Sequence, residues 1–318
     1  MKSKTLSLLI SLSIISFLLY KSDTQALLTL FWNVDLLYLS LGVLIFLPTV
    51  LIPALRWKYI VSDHLNLPML ESIRLILASS TFNMFLPSKA GDLLKAFFIE
   101  QKGVQGTRTR DLVTRVIYEK MLDFVGLTFN LWFGLLFFTA WNTTTQVVAL
   151  LSLVVILLFI LLHLSCLSTV LNRIIPSLRG LSQIKAVFID INLYAAGLKM
   201  SKIAPLLFVS TFIWWVHMFQ FFVFFKMFHF QTTLLDIMVR MPIAIYFGLL
   251  PLTIGGIGTR DAAIVSLFSS QIGYEGCVAM GMMGTFRYIV PAILGSFFVF
   301  NYIKNMGRFW RKSGNKGV

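Results

Sequence analysis

Apolar residues fall in blocks of about 20 along the chain, the length that crosses a bilayer as a helix. Six blocks are continuous: residues 6–20, 36–55, 116–140, 147–167, 203–228 and 278–302. Two more are broken. Residues 73–86 stop at Pro87, turn through "SKAGD" and resume over 93–99. Residues 234–250 stop at Pro251, turn through "LTIGGIGTRD" and resume over 262–268. Each broken piece is short for a crossing. Proline removes a backbone donor, and glycine permits conformations that other residues resist. Irregular backbone at membrane depth survives only against protein or a water-filled cavity. The pattern therefore predicts a re-entrant hairpin at each break, with a surface loop between two ordinary spans as the other reading.

The predicted fold is all-α: a polytopic integral membrane protein with about six full transmembrane helices and two re-entrant or broken helical hairpins. Each half reads span, span, broken hairpin, long span. Three crossings per half start the second half on the opposite side. This is an inverted repeat with halves of about 1–140 and 147–303 inside a single transmembrane domain, 1–318. Residues 168–202 mix Arg, Lys and apolar positions at helical spacing. They read as an amphipathic cytoplasmic linker on anionic lipid, or as a plain connector.

Composition strengthens the membrane reading. Of 318 residues, 58% are hydrophobic and 13% charged, about half the charge of a soluble domain. The excess of 27 Lys and Arg over 13 Asp and Glu would suggest nucleic acid in a soluble chain. Here it fits the basic bias of cytoplasmic loops. With the N-terminus inside and both breaks re-entrant, 21 basic residues face the cytoplasm and four (Lys21, Lys226, Arg240, Arg260) face out. Arg56 counts among the 21. Both termini are thus expected in the cytoplasm of a multi-pass protein of the cell (inner or plasma) membrane. The basic, apolar N-terminus resembles a signal peptide, but no small-residue cleavage site follows it, so residues 6–19 are expected to stay as the first helix.

Cys166 and Cys277 sit in apolar surroundings without a CxxC, and the four His lack metal-ligand spacing, so neither metal nor cofactor is expected. The candidate chemistry is charge at membrane depth, which costs several kcal/mol unless paired or hydrated. Three groups qualify. Lys89, Asp92 and Lys95 lie in the first break; Asp92 can pair with Lys95 or cap the resumed helix. Glu119 and Asp123, at i and i+4, share a helix face and require a cation, with Arg287 or Lys89 as candidates and Lys120 beside them. Arg260 and Asp261 follow Gly255, Gly256 and Gly258, whose bare N–H groups suit an anion; Arg287 lies in mid-span. None of these is expected to be catalytic.

Three stretches, "NMFLPSKAGDLLKAFFI", "VIYEKMLDFVGL" and "LPLTIGGIGTRDAAI", taken in order, resemble the lysylphosphatidylglycerol synthase transmembrane-region family, the flippase-like domain proteins. Asp92 and Lys95 stand where that family usually has Glu and Arg, Lys120 where it has Arg, and Asp261 where it has Glu. Charge sign is kept, but Lys lacks the bidentate fork of Arg. The resemblance implies a lipid-flipping domain. The aminoacyltransferase domain of the full synthase is expected to be absent, so the chain is not expected to be an enzyme by itself. Expected partners are membrane lipids, either an anionic phospholipid or a polyprenyl-linked or other glycolipid, and a possible cytoplasmic lipid-modifying enzyme, with no nucleic acid. The leading expectation is a flippase or transporter for an anionic or glycosylated headgroup. A non-catalytic scaffold and an integral-membrane lipid transferase are the alternatives. Without an ATP-binding motif, transport would be downhill or driven by an ion gradient.

Overall fold

Helix α1 (Lys2–Lys21) rises from what is called here the near end of the molecule to the far end. There the chain bends by 89° into α2 (Thr24–Trp32). The bend follows from Asp23, whose carboxylate accepts the amides of Gln25 and Ala26 at 2.9 and 3.3 Å and starts a new helix. Asp35 does the same for α3 (Leu36–Leu44), which continues through α4 (Phe46–Val61) back to the near end. These descriptions come from a computed structural model that describes residues 2–86, 90–100, 108–137, 143–169, 182–250, 252–253 and 255–314. No strand occurs among them.

The first broken segment turns back on itself. Helix α5 (Met69–Asn83) rises from the near end, antiparallel to the last helix, with the Tyr302 hydroxyl bonded to Glu71 and the Thr81 hydroxyl donating to the Ala292 carbonyl at 2.7 Å. Beyond its tip, a 3-10 turn (Ala90–Leu93) packs on Asn83, and α6 (Leu94–Glu100) descends until Phe98 stacks on Tyr302 at 4.4 Å. Phe98 and Glu71 thus both lie beside Tyr302, so the hairpin enters and leaves at the near end.

Helix α7 (Thr109–Phe137) rises and α8 (Thr143–Leu162) descends. Helix α9 (Ser182–Ala196) lies at the near end, where Arg115 reaches the Tyr194 hydroxyl at 3.0 Å and Asn192 bonds the Leu162 and Leu164 carbonyls. Burial pushes the Tyr194 hydroxyl above its ordinary pKa, against the opposing pull of Arg115. The described part of the expected linker therefore packs on α7 and α8, while Val187, Phe188 and Leu193 stay exposed on its other face. Residues 170–181 of that linker lie outside the described residues.

Helix α10 (Met200–Met227) rises to meet Asp35, whose amide donates to the Met227 carbonyl at 3.0 Å. Helix α11 (Leu234–Leu249) then starts down from the far end. The final helix, α12 (Thr259–Gly314), contains an apolar stretch of 42 residues, 259–300. A straight helix of that length would measure about 63 Å, twice a bilayer core. It is not straight. Gly273, at φ 72° and ψ 173°, reverses it. Arg240 donates to the Leu267 carbonyl at 2.9 Å, so residues 259–272 climb back along α11. At the top, the Tyr274 hydroxyl donates to the Leu18 carbonyl at 3.1 Å, and the chain then descends. The second broken segment is thus a hairpin from the far end.

The two hairpin tips meet. A methyl group on Gly255 would lie 3.9 Å from the Asn83 carbonyl oxygen. Gly256 makes the second tip possible: its φ is 74°, and a Cβ there would sit 2.6 Å from the Gly248 carbonyl oxygen.

Burial follows the membrane pattern. Helix α8 exposes Leu150, Leu151, Leu157, Leu158 and Ile160, whereas Arg56, Lys95 and Glu119 are at most 4% exposed. A water-soluble chain does not present so continuous an apolar face. By length and composition alone, residues 36–61, 109–137, 200–227 and 259–300 pass as membrane spans, the last of them folded into two arms at Gly273, and the bent α1–α2 pair makes a fifth if it is one span. The described apolar part of α8, residues 146–162, is shorter.

Candidate functional site

A cavity of about 130 Å³ lies beside the first hairpin tip, walled by α4, α5, α7, α10 and the descending part of α12. Its floor is a charge network. The Arg56 guanidinium reaches Glu119 at 3.0 Å and Asp123 at 2.6 Å, and it also donates to the Ser210 hydroxyl at 2.9 Å. Lys95 pairs with Glu119 and lies 4.0 Å from Asp92. Its ammonium also sits 4.6 Å from the centre of the Trp57 ring. Lys120 pairs with Asp92 and lies 3.1 Å from Asp123. Three cations thus meet three carboxylates, each paired more than once.

Local sequence dictates much of this. Glu119 and Asp123 are one helical turn apart and point to one partner, as their spacing predicts. Gly126, one turn further along α7, lets that helix approach α10 closely; a Cβ there would meet the Ser210 carbonyl at 2.7 Å. That approach places Ser210 within reach of Arg56. Asn83, at the end of α5, donates its side-chain amide to Asp92 at 3.2 Å and ties the two arms of the hairpin together.

Opposite the network stands Arg287. Its Nε donates to Gln220 Oε1 at 2.9 Å, its Nη2 lies 2.5 Å from His217 Nδ1, and its guanidinium sits 4.2 Å from the centre of the Phe221 ring. Gln220 is held in turn by donating to the Gly42 carbonyl at 3.1 Å.

Asp92, Lys95, Glu119, Asp123 and Arg287 therefore share one cavity. Lys89 lies outside the described residues. Gly255, Gly256, Gly258, Arg260 and Asp261 form the neighbouring tip, where Asp261 pairs with Arg260 and caps Gly258. Asp261 accepts the Gly258 amide at 2.9 Å and Arg260 at 2.7 and 2.9 Å, while Arg260 also donates to the Gly281 carbonyl and the Thr285 hydroxyl. The bare Gly258 amide expected to suit an anion is thus capped from within. Gly255, Gly256 and Arg260 line a separate void of about 10 Å³. Tyr288 borders both that void and the main cavity.

Two expectations need correction. Arg56, counted among the basic residues facing the cytoplasm and not as a site residue, is buried and is the central cation of the network. The cations expected for Glu119 and Asp123 were Arg287 or Lys89; among the described residues Arg56, Lys95 and Lys120 take that place and Arg287 does not, while Lys89 lies outside the described residues. Arg56 sits at the edge of an apolar block, next to Trp57 and Lys58, which is how a helix end at the membrane surface looks. His217 and Gln220, also missed, are ordinary polar interruptions of a long apolar run.

The profile described as "Lysylphosphatidylglycerol synthase TM region" matches residues 4–295. The chain belongs to this family. The match includes both hairpins and every cavity residue from Arg56 to Arg287. The family is a membrane domain, and the chain is a multi-pass membrane protein of it. No curated protein and no solved structure matches the chain.

Proposed function

We propose that this protein is a lipid transporter of the flippase type, carrying an anionic or glycosylated lipid headgroup across the bilayer while the acyl chains stay in lipid. The observation that carries the reading is the charged cavity beside the meeting point of two hairpins that enter from opposite ends. A polar headgroup needs hydrated or charged surroundings at mid-depth, and the apolar outer face gives the tails continuous contact with lipid. The opposed hairpins also support an inverted repeat with halves of about 1–140 and 147–303. On this reading both termini face the cytoplasm of a cell membrane.

The test is transbilayer movement of fluorescent anionic and sugar-linked lipids in proteoliposomes, with wild type beside Asp92→Asn and Arg287→Gln. Loss of movement in both folded variants is the expected result. Retained movement in Arg287→Gln counts against the reading. No movement of any lipid by folded wild type overturns it in favour of a scaffold for a separate lipid-modifying enzyme.

A further inference from the structure

The charges of the cavity can be counted, and the count has a sign. All thirteen Asp and Glu of the chain are among the described residues. The three at the cavity, Asp92, Glu119 and Asp123, are matched by Arg56, Lys95 and Lys120. Arg287 forms no ion pair with any of the thirteen. It is 6% exposed and lines the same cavity. Its Nε and Nη2 are oriented by neutral groups, Gln220 and His217, and its Nη1 has no hydrogen-bond partner among the described residues.

A buried guanidinium without a counter-ion is costly, because its desolvation is not offset by a nearby negative charge. Holding it in place with two neutral acceptors and a ring face fixes its direction without cancelling its charge. Its partner at His217 is Nδ1, which must accept, so the imidazole is neutral with its proton on Nε2. Among the described residues the cavity therefore carries one unmatched positive charge, that of Arg287.

We infer that Arg287 is the anchor for a lipid headgroup whose net charge is minus one, held through its phosphodiester, and that Arg56, Lys95 and Lys120 are counter-ions of the protein itself. The inference deepens the transport reading and rests on it for the ligand being a lipid. A planar guanidinium suits a phosphodiester, which offers two non-bridging oxygens. A zwitterionic headgroup brings a cation for which every cavity carboxylate is already paired. A neutral glycolipid leaves Arg287 unmatched, so a sugar-linked lipid qualifies only through a phosphodiester.

The experiment is equilibrium binding to the purified full chain in mild detergent, read by fluorescence of the tryptophans, one of which (Trp214) borders the cavity. The probes are short-chain phosphatidylglycerol, short-chain phosphatidylcholine and water-soluble glycerophosphoglycerol. The variants are R287Q and Q220E. The second keeps the arginine and gives it a carboxylate from within, at the loss of the bond to Gly42, so an anion site is silenced without leaving a bare buried cation. Wild type is expected to prefer phosphatidylglycerol over phosphatidylcholine by about tenfold to a hundredfold, the range for a charge-assisted contact. Both variants are expected to lose that preference. An unchanged preference in folded Q220E, or none in wild type, overturns the inference. Equally tight binding of glycerophosphoglycerol would make the ligand a free phosphodiester and overturn the lipid assignment. Anion preference without transbilayer movement sinks the transport reading and leaves the site standing; movement without anion preference does the reverse.

Discussion

The two hairpins carry the same sequence signals, a Pro, glycines and charges inside an apolar run, and use them in opposite ways. At the first tip, Asp92 and Lys95 reach out of their own hairpin to Lys120 and Glu119 on α7. At the second, Arg260 and Asp261 are chain neighbours that pair with each other and cap their own helix through Gly258. The first tip is therefore welded to the body of the protein and shares its cavity. The second pairs its own charges and borders a small void. Breaking a helix in a membrane creates stranded backbone and charge in both cases. What differs is whether the relief comes from other helices or from within the hairpin.

Four substitutions test that difference, each read as unfolding of the purified protein in mild detergent. Arg56→Met should have the largest effect, about 3–5 kcal/mol, because it strips the cation shared by Glu119 and Asp123 from a buried network. Asp261→Asn should cost less, about 2–3 kcal/mol, since Arg260 keeps the Gly281 carbonyl and the Thr285 hydroxyl. Its effect should stay within the second hairpin, so limited proteolysis should open that segment first. A proteolytic opening at the first hairpin would break the comparison. Asp92→Asn should cost about 1–2 kcal/mol, because Lys95 retains Glu119 and Lys120 retains Asp123. It should nevertheless stop transport, which separates a working cavity from a merely stable one. Thr253→Ala should be the smallest, about 1 kcal/mol, through loss of the 2.8 Å bond between the Thr253 and Thr259 hydroxyls at the second tip.

Within the first hairpin the sequence pattern was informative to a limit. The spacing of Asp92 and Lys95 pointed to a mutual pair; the structure holds them 4.0 Å apart and gives each a closer partner on α7. For the second hairpin Gly255, Gly256 and Gly258 pointed to an anion site at bare amides, but Asp261 reaches the Gly258 amide because it sits three residues along the same turn. Local geometry won over a general rule about helix starts.

The sequence by itself determined that the chain is helical and membrane-embedded, because block length and low charge are properties that no packing can alter. It also marked the two hairpin breaks, where Pro and Gly cluster with charge, although Pro53, Pro205, Pro242 and Pro291 stay inside helices. Only the tertiary structure decided which charges meet. Arg56 is 63 residues from Glu119, and Arg287 is 67 from Gln220, and no periodicity links positions so distant. In an apolar medium a charge is placed by the cost of leaving it unpaired. Its partner is whichever opposite charge the packing of helices brings within reach. At Arg287 the described partners are Gln220 and His217, and the counter-charge is the one proposed to come from a ligand.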